Sequence, residues 1–594
     1  MIIKPVYQYK KAPCFSRDSG GQNGCPAWND IPAFLYSISQ GSFEQAFQII
    51  KKTNPFSGGC GRFCDHPCES ACNRAKFDSP VNIRDLERFI SDYGYTNNLL
   101  PDKIDNFAGK SVAIIGAGPA GLSSAYFLKL SGFKVDVLEK ENIAGGMMAL
   151  GIPLFRYPRE ILEWELNYIK SLGINIDTNI QVDSKKFKEL CKTYDYVLIA
   201  TGAHKSRKLG IPGETLKEVI IGIDFLKQFN LHQKFRNSKN FEDVHKEYQG
   251  KKLIVVGGGY TAIDVARTAR RCNMKVSVYY RRGESDMNIH PGDTIECKKE
   301  GIEFHFFLSP AQIDKQNDGS LLIKMEQMKT GEMEADGKYS IIPTEIFSDV
   351  ETDFLVKAIG ETPELGFLKE FEIKKNNVIL KAKHSGSADI FIAGDARFGY
   401  ASDVGKVVRA IASGRKSSDE IIQHASGKAK VWYSEETIAQ YNSIKTKNFH
   451  KQARARVSHL KPELRTSNFH ELSASLESDE AIYAASRCFN CGICIQCDMC
   501  YHYSQGSIAK IDTPWSDDRK KRYFTFIEDK ICNNTLEAVH ACPRNAMNIT
   551  NLDEISKNDF LKSQYTTLQN YTSAHVSLTR EKRKNLSKER FKNV

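Results

Sequence analysis

The chain has 594 residues, enough for three or four domains, and its 41% hydrophobic and 26% charged residues are typical of a globular protein. The formal net charge of +11 has a dense basic run near the end, REKRKNLSKERFK, but no recognition motif accompanies it, which argues against a nucleic-acid partner. The N-terminus lacks an apolar signal segment, and Gly and Pro interrupt the long uncharged run 111–128, so we expect a cytoplasmic protein without a membrane span.

Sixteen cysteines in a chain without a signal segment indicate metal or redox chemistry rather than disulfides. Six lie in residues 14–72 and seven in residues 488–542. The other three, Cys191, Cys272 and Cys297, are far apart, and we interpret them as small buried hydrophobic residues. The middle of the chain has no C-x-x-C pair, which argues against a mechanism like that of thioredoxin reductase.

The first predicted domain, residues 1–108, contains cysteines that recur every four residues: Cys60, Cys64, Cys68 and Cys72. One straight helix would spread them over about 18 Å, too far for a single cubane cluster. Gly61 and Pro67 instead predict that the chain turns, with the first two cysteines on a loop and the last two on a helix that starts near Pro67. The alternative is that these four are free structural thiols.

Residues 55–93, PFSGGCGRFCDHPCESACNRAKFDSPVNIRDLERFISDY, resemble the N-terminal iron–sulfur domain of the glutamate synthase small subunit family, which dihydropyrimidine dehydrogenases share. The resemblance implies two [4Fe–4S] clusters with ligands from an upstream and a downstream cysteine group. Upstream this chain has only Cys14 and Cys25, and six cysteines cannot fill eight thiolate positions. We predict one N-terminal cluster on the downstream four, with the upstream pair as further candidates, and no full ligand set for a second.

The second segment, residues 109–205, contains a glycine-rich fingerprint, SVAIIGAGPAGLSSAYFL, where a strand should turn into a helix. In this motif glycines allow the tight turn, the approach of a pyrophosphate and the packing of helix on strand. The following FKVDVLEK places Glu139, beside Lys140, where a carboxylate can accept hydrogen bonds from a ribose. We predict FAD binding, with these fingerprint residues as contacts: Gly116, Gly118, Pro119, Ala120 and Gly121.

A second fingerprint, KLIVVGGGYTAIDVARTARR, lies in the predicted NAD(P) domain, residues 206–350. The end of its next strand, MKVSVYYRR, has no acid and presents Arg281 and Arg282, which suit a 2′-phosphate. We therefore predict NADP(H), and NAD(H) stays open. Ordinary helix–strand turns are the alternative reading of the two fingerprints. The predicted contacts of the motif are Gly257, Gly258, Gly259, Thr261 and Asp264.

Residues 351–425 show the same pattern of strands followed by glycines as the first segment. Gly394 and Asp395 follow one of these predicted strands, where a carboxylate could hold a ribityl hydroxyl. Together, residues 109–425 resemble the two-dinucleotide-binding-domain flavoproteins, because GAGPAGL, EK, GG…GIP, ATGA, GGGxxAxD, YRR, AIGxTP and AGD occur in order. The resemblance implies an NAD(P) domain inserted into an FAD domain. It also implies further cofactor contacts at Gly145, Gly146, Arg156, Val182, Gly202, Gly360 and Val404.

After a linker, residues 426–480, a ferredoxin-like domain is predicted over 481–555 and a basic tail over 556–594. A bacterial ferredoxin motif here has lost ligands, since Ser504, Thr535 and Ala538 stand at ligand positions. Ferredoxin connectivity leaves one complete ligand set, so we predict one [4Fe–4S] cluster and no second. Its ligands are Cys494, Cys497, Cys500 and Cys542. Cys488 and Cys491 could orient the domain, compete for this cluster in a shifted register, or be thiols.

The predicted fold class is α/β, with two Rossmann-like dinucleotide-binding domains, a helical N-terminal iron–sulfur domain and a C-terminal α+β ferredoxin-like domain. We expect an NAD(P)H:acceptor oxidoreductase that exchanges electrons between a nicotinamide, FAD, [4Fe–4S] clusters and a partner redox protein. The resemblance implies a partner like the glutamate synthase large subunit. The ending CDMCYHYSQGSIAK instead resembles the flavoprotein that accompanies dissimilatory sulfite reductase in sulfur oxidisers.

Two alternatives remain from the residues. The basic tail is either a solvated segment or a docking surface for an acidic redox partner. The chain could also be a degenerate paralogue that acts as a dinucleotide-binding scaffold, which the lost ferredoxin ligands favour and the intact glycine fingerprints oppose. We name no catalytic acid or base.

Overall fold

The computed structural model describes residues 12–15, 24–102, 109–232, 246, 248–333, 339–368, 388–397, 405–427 and 438–491. It also describes two antiparallel strand pairs, Ile3–Val6 with Asn548–Asn551 and Ile508–Thr513 with Lys521–Phe526. The predicted ligands of the ferredoxin-like domain and one predicted cofactor contact lie outside these residues: Cys494, Cys497, Cys500, Cys542 and Val404.

The front of the chain is helical, as predicted. Asp30 caps the first helix, because its side chain accepts a hydrogen bond from the Ala33 backbone N–H at 3.1 Å. Glycine lets the helices approach closely: a Cβ on Gly61 would lie 2.4 Å from the backbone nitrogen of Arg88. The helices of this front module are Ile31–Ser39, Phe43–Lys51, Ser57–Phe63, Pro67–Ser70 and Ile83–Thr96.

The first sheet has five parallel strands and draws on both ends of the predicted flavin domain. Helices cover it, which explains why its strands are near-continuous apolar runs. Gly414 lets the helix Val407–Ser426 pack on the helix Pro119–Leu130, since a Cβ there would lie 2.2 Å from the Ala120 carbonyl oxygen. The strand order is Asp389–Ile392, Tyr196–Ile199, Ser111–Ile115, Lys134–Leu138 and Asn175–Asp177.

The second sheet is also parallel and five-stranded, and it belongs to the inserted domain. Its strand Phe354–Lys357 lies between two others, so this domain extends past the predicted boundary at residue 350. The strand order is Glu303–Phe306, Lys275–Tyr280, Lys252–Val256, Phe354–Lys357 and Val219–Ile221. Its helices are Gly222–His232, Tyr260–Arg271 and Pro291–Lys299.

Smaller elements complete the described part of the chain. An antiparallel sheet joins Leu308–Lys315, Leu321–Met333 and Tyr339–Thr352, and a short pair joins Lys205–Ser206 to Glu361–Thr362. Further helices are Met147–Leu150, Arg159–Lys170, Ser184–Thr193, Pro462–Arg465 and Ser478–Ser486. Among the residues described, none of the helices is long and apolar enough to cross a membrane.

The hydrophobic cores show which parts of the described chain pack together. One continuous core runs through the front module and the flavin domain, from Ala12 to Cys491, whereas the inserted domain has a core of its own around Val255 and Val278. The front module is therefore fixed to the flavin domain by packing rather than by a linker. Cys272 and Cys297 lie in the second core and Cys191 in a third, in agreement with the predicted role of small buried hydrophobic residues.

Candidate active site

A cavity of about 480 Å³ opens at the carboxyl ends of the strands of the first sheet. This volume is in the range of small-molecule and cofactor sites. The Thr201 hydroxyl oxygen is buried on its wall without a hydrogen-bond partner among the described residues, as expected of a group that awaits a ligand. Predicted contacts that line this flavin cavity are Gly116, Gly118, Pro119, Ala120, Glu139, Lys140, Gly146, Val182, Gly202, Gly394 and Asp395.

The fingerprint adopts the turn that its glycines predict. Gly116 has a φ of +105°, and a Cβ there would lie 2.5 Å from the Ala200 carbonyl oxygen. A Cβ on Gly121 would lie 2.0 Å from the Gly116 carbonyl oxygen. Gly118 begins the helix Pro119–Leu130 without a side-chain cap, so the first N–H groups of the helix are left for a ligand.

Backbone hydrogen bonds hold Glu139 in the wall of the flavin cavity. Its carboxylate accepts from Ala117 N–H at 2.7 Å and from Glu141 N–H at 2.9 Å. Burial raises the pKa of Glu139, and these two hydrogen bonds oppose the rise. The geometry suits a carboxylate that receives a ribose hydroxyl, so the residues fit FAD. Gly121 and Gly145 are outside the lining, and Gly145 instead donates to the Ala117 carbonyl at 2.8 Å.

A second cavity lies between the front module, the flavin domain and the inserted domain. It is lined by five of the predicted contacts, Arg156, Thr261, Asp264, Gly360 and Asp395. Arg156 and Asp264 form a buried ion pair, with one guanidinium nitrogen 2.7 and 2.8 Å from the two carboxylate oxygens. Arg156 also lies over the Tyr260 ring at 5.1 Å. These two predicted contacts therefore hold each other in place across the domain boundary.

The second fingerprint has the same local geometry as the first, but its glycines, Gly257, Gly258 and Gly259, lie outside the lining of the second cavity. A Cβ on Gly257 would lie 2.2 Å from the Ala358 carbonyl oxygen, and one on Gly258 would lie 2.4 Å from the Tyr280 ring. Gly259 begins the helix Tyr260–Arg271, again without a side-chain cap. Arg281 is exposed directly after the strand Lys275–Tyr280, and Arg282 is half-buried beside it.

The thiols of the front module surround a small cavity, which we call the thiol cavity. Its cysteines are Cys25, Cys60, Cys64 and Cys68. Burial raises the pKa values of these thiols, and negative charge on neighbouring acids and thiols adds to the rise. Thiolates in this position need a cation to compensate them, as the iron of a cluster would. In the described residues, no three His, Cys, Asp or Glu side chains are close enough together to bind one metal ion. A four-iron cluster is larger than a single ion, and its thiolate ligands surround it at wider spacing.

The placement of these cysteines differs from the predicted local structure in two ways. Cys60 lies on the helix Ser57–Phe63 and not on a loop, and Cys64 ends that helix. The predicted helix at Pro67 exists, but it ends at Ser70, and the chain is extended at Cys72. Cys72 lies outside the lining of the thiol cavity, whereas Cys25 from upstream is part of it.

The three cavities adjoin one another through shared lining residues. The second cavity and the thiol cavity share Cys64 and Val408. Lys406 bridges the modules as well, with its ammonium 2.6 Å from the Asp65 carboxylate. Sequence analysis missed Lys406, whose only signal is a cation just before a helix that follows the AGD motif. The flavin cavity and the second cavity share Met147, Ala203, Asp395, Gly405, Lys406 and Val407.

Comparison with known protein families agrees with these sites. Residues 110–425 match the model of the pyridine nucleotide-disulphide oxidoreductases, and residues 11–99 match that of dihydropyrimidine dehydrogenase domain II, 4Fe-4S cluster. The matches confirm the predicted fold class, the oxidoreductase class and the cofactor classes FAD, NAD(P)H and [4Fe–4S].

Individual relatives are similar over much of the chain. The NADPH-Fe(3+) oxidoreductase subunit beta of Geobacter sulfurreducens is 32% identical over 81% of this chain and 75% of its own. The NADP(+)-dependent formate dehydrogenase subunit beta of Moorella thermoacetica is 35% identical over 70% of this chain, which spans 60% of that relative. The glutamate synthase [NADPH] small chain of Bacillus subtilis is 32% identical over 69% of this chain and 87% of its own.

Proposed function

Because the chain belongs to the pyridine nucleotide-disulphide oxidoreductase family, we propose that it is the NAD(P)H-oxidising subunit of a redox complex. In this proposal it passes electrons between a nicotinamide, FAD and [4Fe–4S] clusters. The observation that supports it is the adjacency of the three cavities, since Lys406 lines both the flavin cavity and the second cavity, and Cys64 lines both the second cavity and the thiol cavity.

In the flavin cavity, the uncapped N-terminus of the helix Pro119–Leu130 would bind the pyrophosphate. Gly118 leaves room for it, and Glu139 would accept hydrogen bonds from the ribose. Asp395 lies at the far side of the same cavity, where its carboxylate, held by the Gly405 N–H at 3.1 Å, would orient the ribityl chain.

In the inserted domain, the N-terminus of the helix Tyr260–Arg271 would bind the pyrophosphate of NADP(H), and Arg281 would bind its 2′-phosphate. The second cavity would then receive the nicotinamide end, with the Arg156–Asp264 pair as part of its wall. When bound, the flavin takes a hydride from the nicotinamide and gives electrons singly to iron–sulfur centres. The chain contributes position, charge and exclusion of water.

The four cysteines of the thiol cavity would hold the first [4Fe–4S] cluster. Cys64 faces both this cavity and the second one, so the cluster lies next to the proposed flavin–nicotinamide junction. Packing would hold the cluster at a set distance from the flavin, because the front module and the flavin domain share one core.

The partner is a further part of the proposal. The names of the relatives describe subunits or chains of larger enzymes: a formate dehydrogenase, an Fe(3+) oxidoreductase and a glutamate synthase. We infer that this chain also exchanges electrons with a separate redox protein. Copurification from native cells would identify that protein and would decide between a glutamate synthase-like and a sulfite reductase-like partner.

Anaerobic spectroscopy of the purified full chain tests the proposed function. We expect flavin bands and broad iron–sulfur absorption, both of which bleach when NADPH is added. Cys64→Ala should keep the flavin bleaching and lose only the part of the cluster absorption that comes from the thiol cavity, whereas Cys272→Ala, in the core of the inserted domain, should behave as wild type. A folded protein without flavin bands, or one that NADPH and NADH both leave unbleached, would favour the scaffold alternative.

A further inference from the structure

A short segment beyond the flavin domain returns to the front module and is anchored there. Arg487 is fully buried, and its guanidinium donates to the Ser79 carbonyl at 2.9 Å and to the Asp78 carboxylate at 3.1 Å. Two residues later, Phe489 packs on Phe77 with ring centroids 5.7 Å apart. The position of the next residues is therefore set by buried contacts with the module.

This segment places two thiols beside Cys72, the cysteine that the thiol cavity leaves out. The Asn73 side-chain amide donates to Cys491 Sγ at 3.6 Å and to the Ala439 carbonyl at 2.8 Å. Cys491 is 8% exposed and Cys488 packs against the same core.

Cys14 completes the group. It is 7% exposed, and burial together with the neighbouring thiols of Cys72, Cys488 and Cys491 raises its pKa well above the usual range. Cys491 in turn has a pKa raised by burial first and then by Cys488, with Cys72 also contributing. Each of these effects requires the thiols to be close together, and none of the described cysteines forms a disulfide.

We propose that Cys14, Cys72, Cys488 and Cys491 form a second four-thiolate site and that this site binds a [4Fe–4S] cluster. Four thiolates are the usual ligand set of such a cluster, and the C-x₂-C spacing of the last two is common in iron–sulfur motifs. The first site is complete without any of them, because the thiol cavity has its own four cysteines. The inference rests on the proposed function, in which clusters occupy this module.

The second site supplies the thiolate ligands that the front module lacked in the sequence analysis. The six cysteines in residues 14–72 cannot fill eight positions, but the front module gains two more from a segment that is more than 400 residues away in sequence. Eight thiols then divide into two sets of four. The same assignment makes Cys488 and Cys491 cluster ligands of the front module. It replaces the three alternative roles that their spacing had left open.

The site also has a distinct place in the electron path. Cys494, the first predicted ligand of the ferredoxin-like domain, follows Cys491 by three residues and lies outside the described residues. Three residues of chain span at most about 11 Å between Cα atoms. A cluster on the second site would therefore lie near any cluster that Cys494 binds, so we place it on the path between the module and the C-terminal domain in the proposed function.

Iron content and electron paramagnetic resonance of the reduced full chain test this assignment. We expect Cys14→Ala and Cys488→Ala each to lose the same resonance signal and up to about four irons per chain. The double variant should lose no more iron than either single variant, because both residues bind one cluster. Cys191→Ala, a buried thiol in a separate core, is the matched control and should keep every signal.

Two results would overturn the proposal: losses that add up to two clusters in the double variant, or a full iron content in either single variant. Flavin content and bleaching by NADPH are measured on the same samples, so a failure of the proposed function is seen separately. If a variant does not fold, the site can be tested instead by alkylating the cysteines of the wild-type chain with and without iron. Removal of iron should expose all four thiols together, and unchanged labelling of Cys488 and Cys491 contradicts the site.

Discussion

At the scale of single residues, the two glycines of the first fingerprint have different tasks that substitution can separate. A Cβ on Gly121 would meet the Gly116 carbonyl oxygen at 2.0 Å, whereas one on Gly118 would meet its nearest atom, the Gly146 Cα, at 3.9 Å. Gly121→Ala should therefore lower the free energy of unfolding of the flavin-free protein by about 1–3 kcal/mol, as overpacking does. Denaturant titration of the apoprotein measures this change.

Gly118→Ala is the matched variant. It should change the free energy of unfolding of the apoprotein by less than about 1 kcal/mol. Its methyl group would occupy the space where we place the pyrophosphate, so we expect FAD affinity to fall by about tenfold or more, which corresponds to about 1.4 kcal/mol. If this variant kept the flavin content of the wild type, the pyrophosphate could not bind at this end of the helix as we propose.

Arg281 determines the choice of nicotinamide cofactor in the proposed function. It is exposed directly after the strand Lys275–Tyr280, where a 2′-phosphate would lie. Loss of a charged hydrogen bond costs about 1.5–3 kcal/mol, so Arg281→Ala should lower kcat/KM for NADPH by about 10- to 100-fold and leave that for NADH nearly unchanged. Steady-state kinetics with both cofactors measure the ratio. Lys275→Ala, an exposed cation at the start of the same strand, is the control.

At the scale of elements, the sequence was sufficient wherever the signal is local. Both fingerprints predicted their strand–turn–helix units, because the glycines that permit a turn are adjacent in the chain. The grouping of cysteines was not predictable in this way. A four-residue spacing does not show that the helix Pro67–Ser70 ends before Cys72, nor that Cys25 faces Cys60 across the module. Contacts over long sequence separations, such as Arg156 with Asp264, have no local signal at all.

A buried ion-pair network fixes the helix Tyr260–Arg271 to the end of the helix Pro291–Lys299. The side chain of Glu300 is fully buried. Its carboxylate accepts a hydrogen bond from Arg267 at 3.1 Å and another from Arg271 at 3.0 Å. Glu300→Gln leaves two buried guanidinium groups without a counter-charge, which should lower the free energy of unfolding by about 3–5 kcal/mol. Glu303→Gln, an exposed acid on the next strand, should cost less than about 1 kcal/mol.

The pH dependence of the same variant gives a second test. Burial raises the pKa of Glu300, but the hydrogen bonds and charges of Arg267 and Arg271 outweigh it, and the pKa lies below its ordinary value. A depressed pKa contributes stability above the pKa of the unfolded state, about 4.3, and this contribution is lost as the pH falls towards the folded value. The difference in unfolding free energy between wild type and Glu300→Gln should therefore shrink below about pH 4.3. A constant difference would contradict the charge-based account.

At the scale of the whole molecule, one ion pair joins the front module to the proposed flavin–nicotinamide junction. Lys406 lines both cavities at their shared wall, and Asp65, next to Cys64, holds its ammonium at 2.6 Å. A cation near the flavin favours the reduced form, and an acid beside that cation weakens the effect. The two partners should therefore act on the flavin potential with opposite signs.

Lys406→Met should shift the flavin midpoint potential to more negative values, and Asp65→Asn should shift it to more positive values. We expect each shift to be on the order of tens of millivolts, since 30 mV is about 1.4 kcal/mol for a two-electron couple. Spectroscopic redox titration measures both. Lys298→Met, which breaks an exposed ion pair with Glu284 in the inserted domain, should leave the potential unchanged. Shifts of the same sign, or none, would show that the isoalloxazine does not lie at the wall that joins the two cavities.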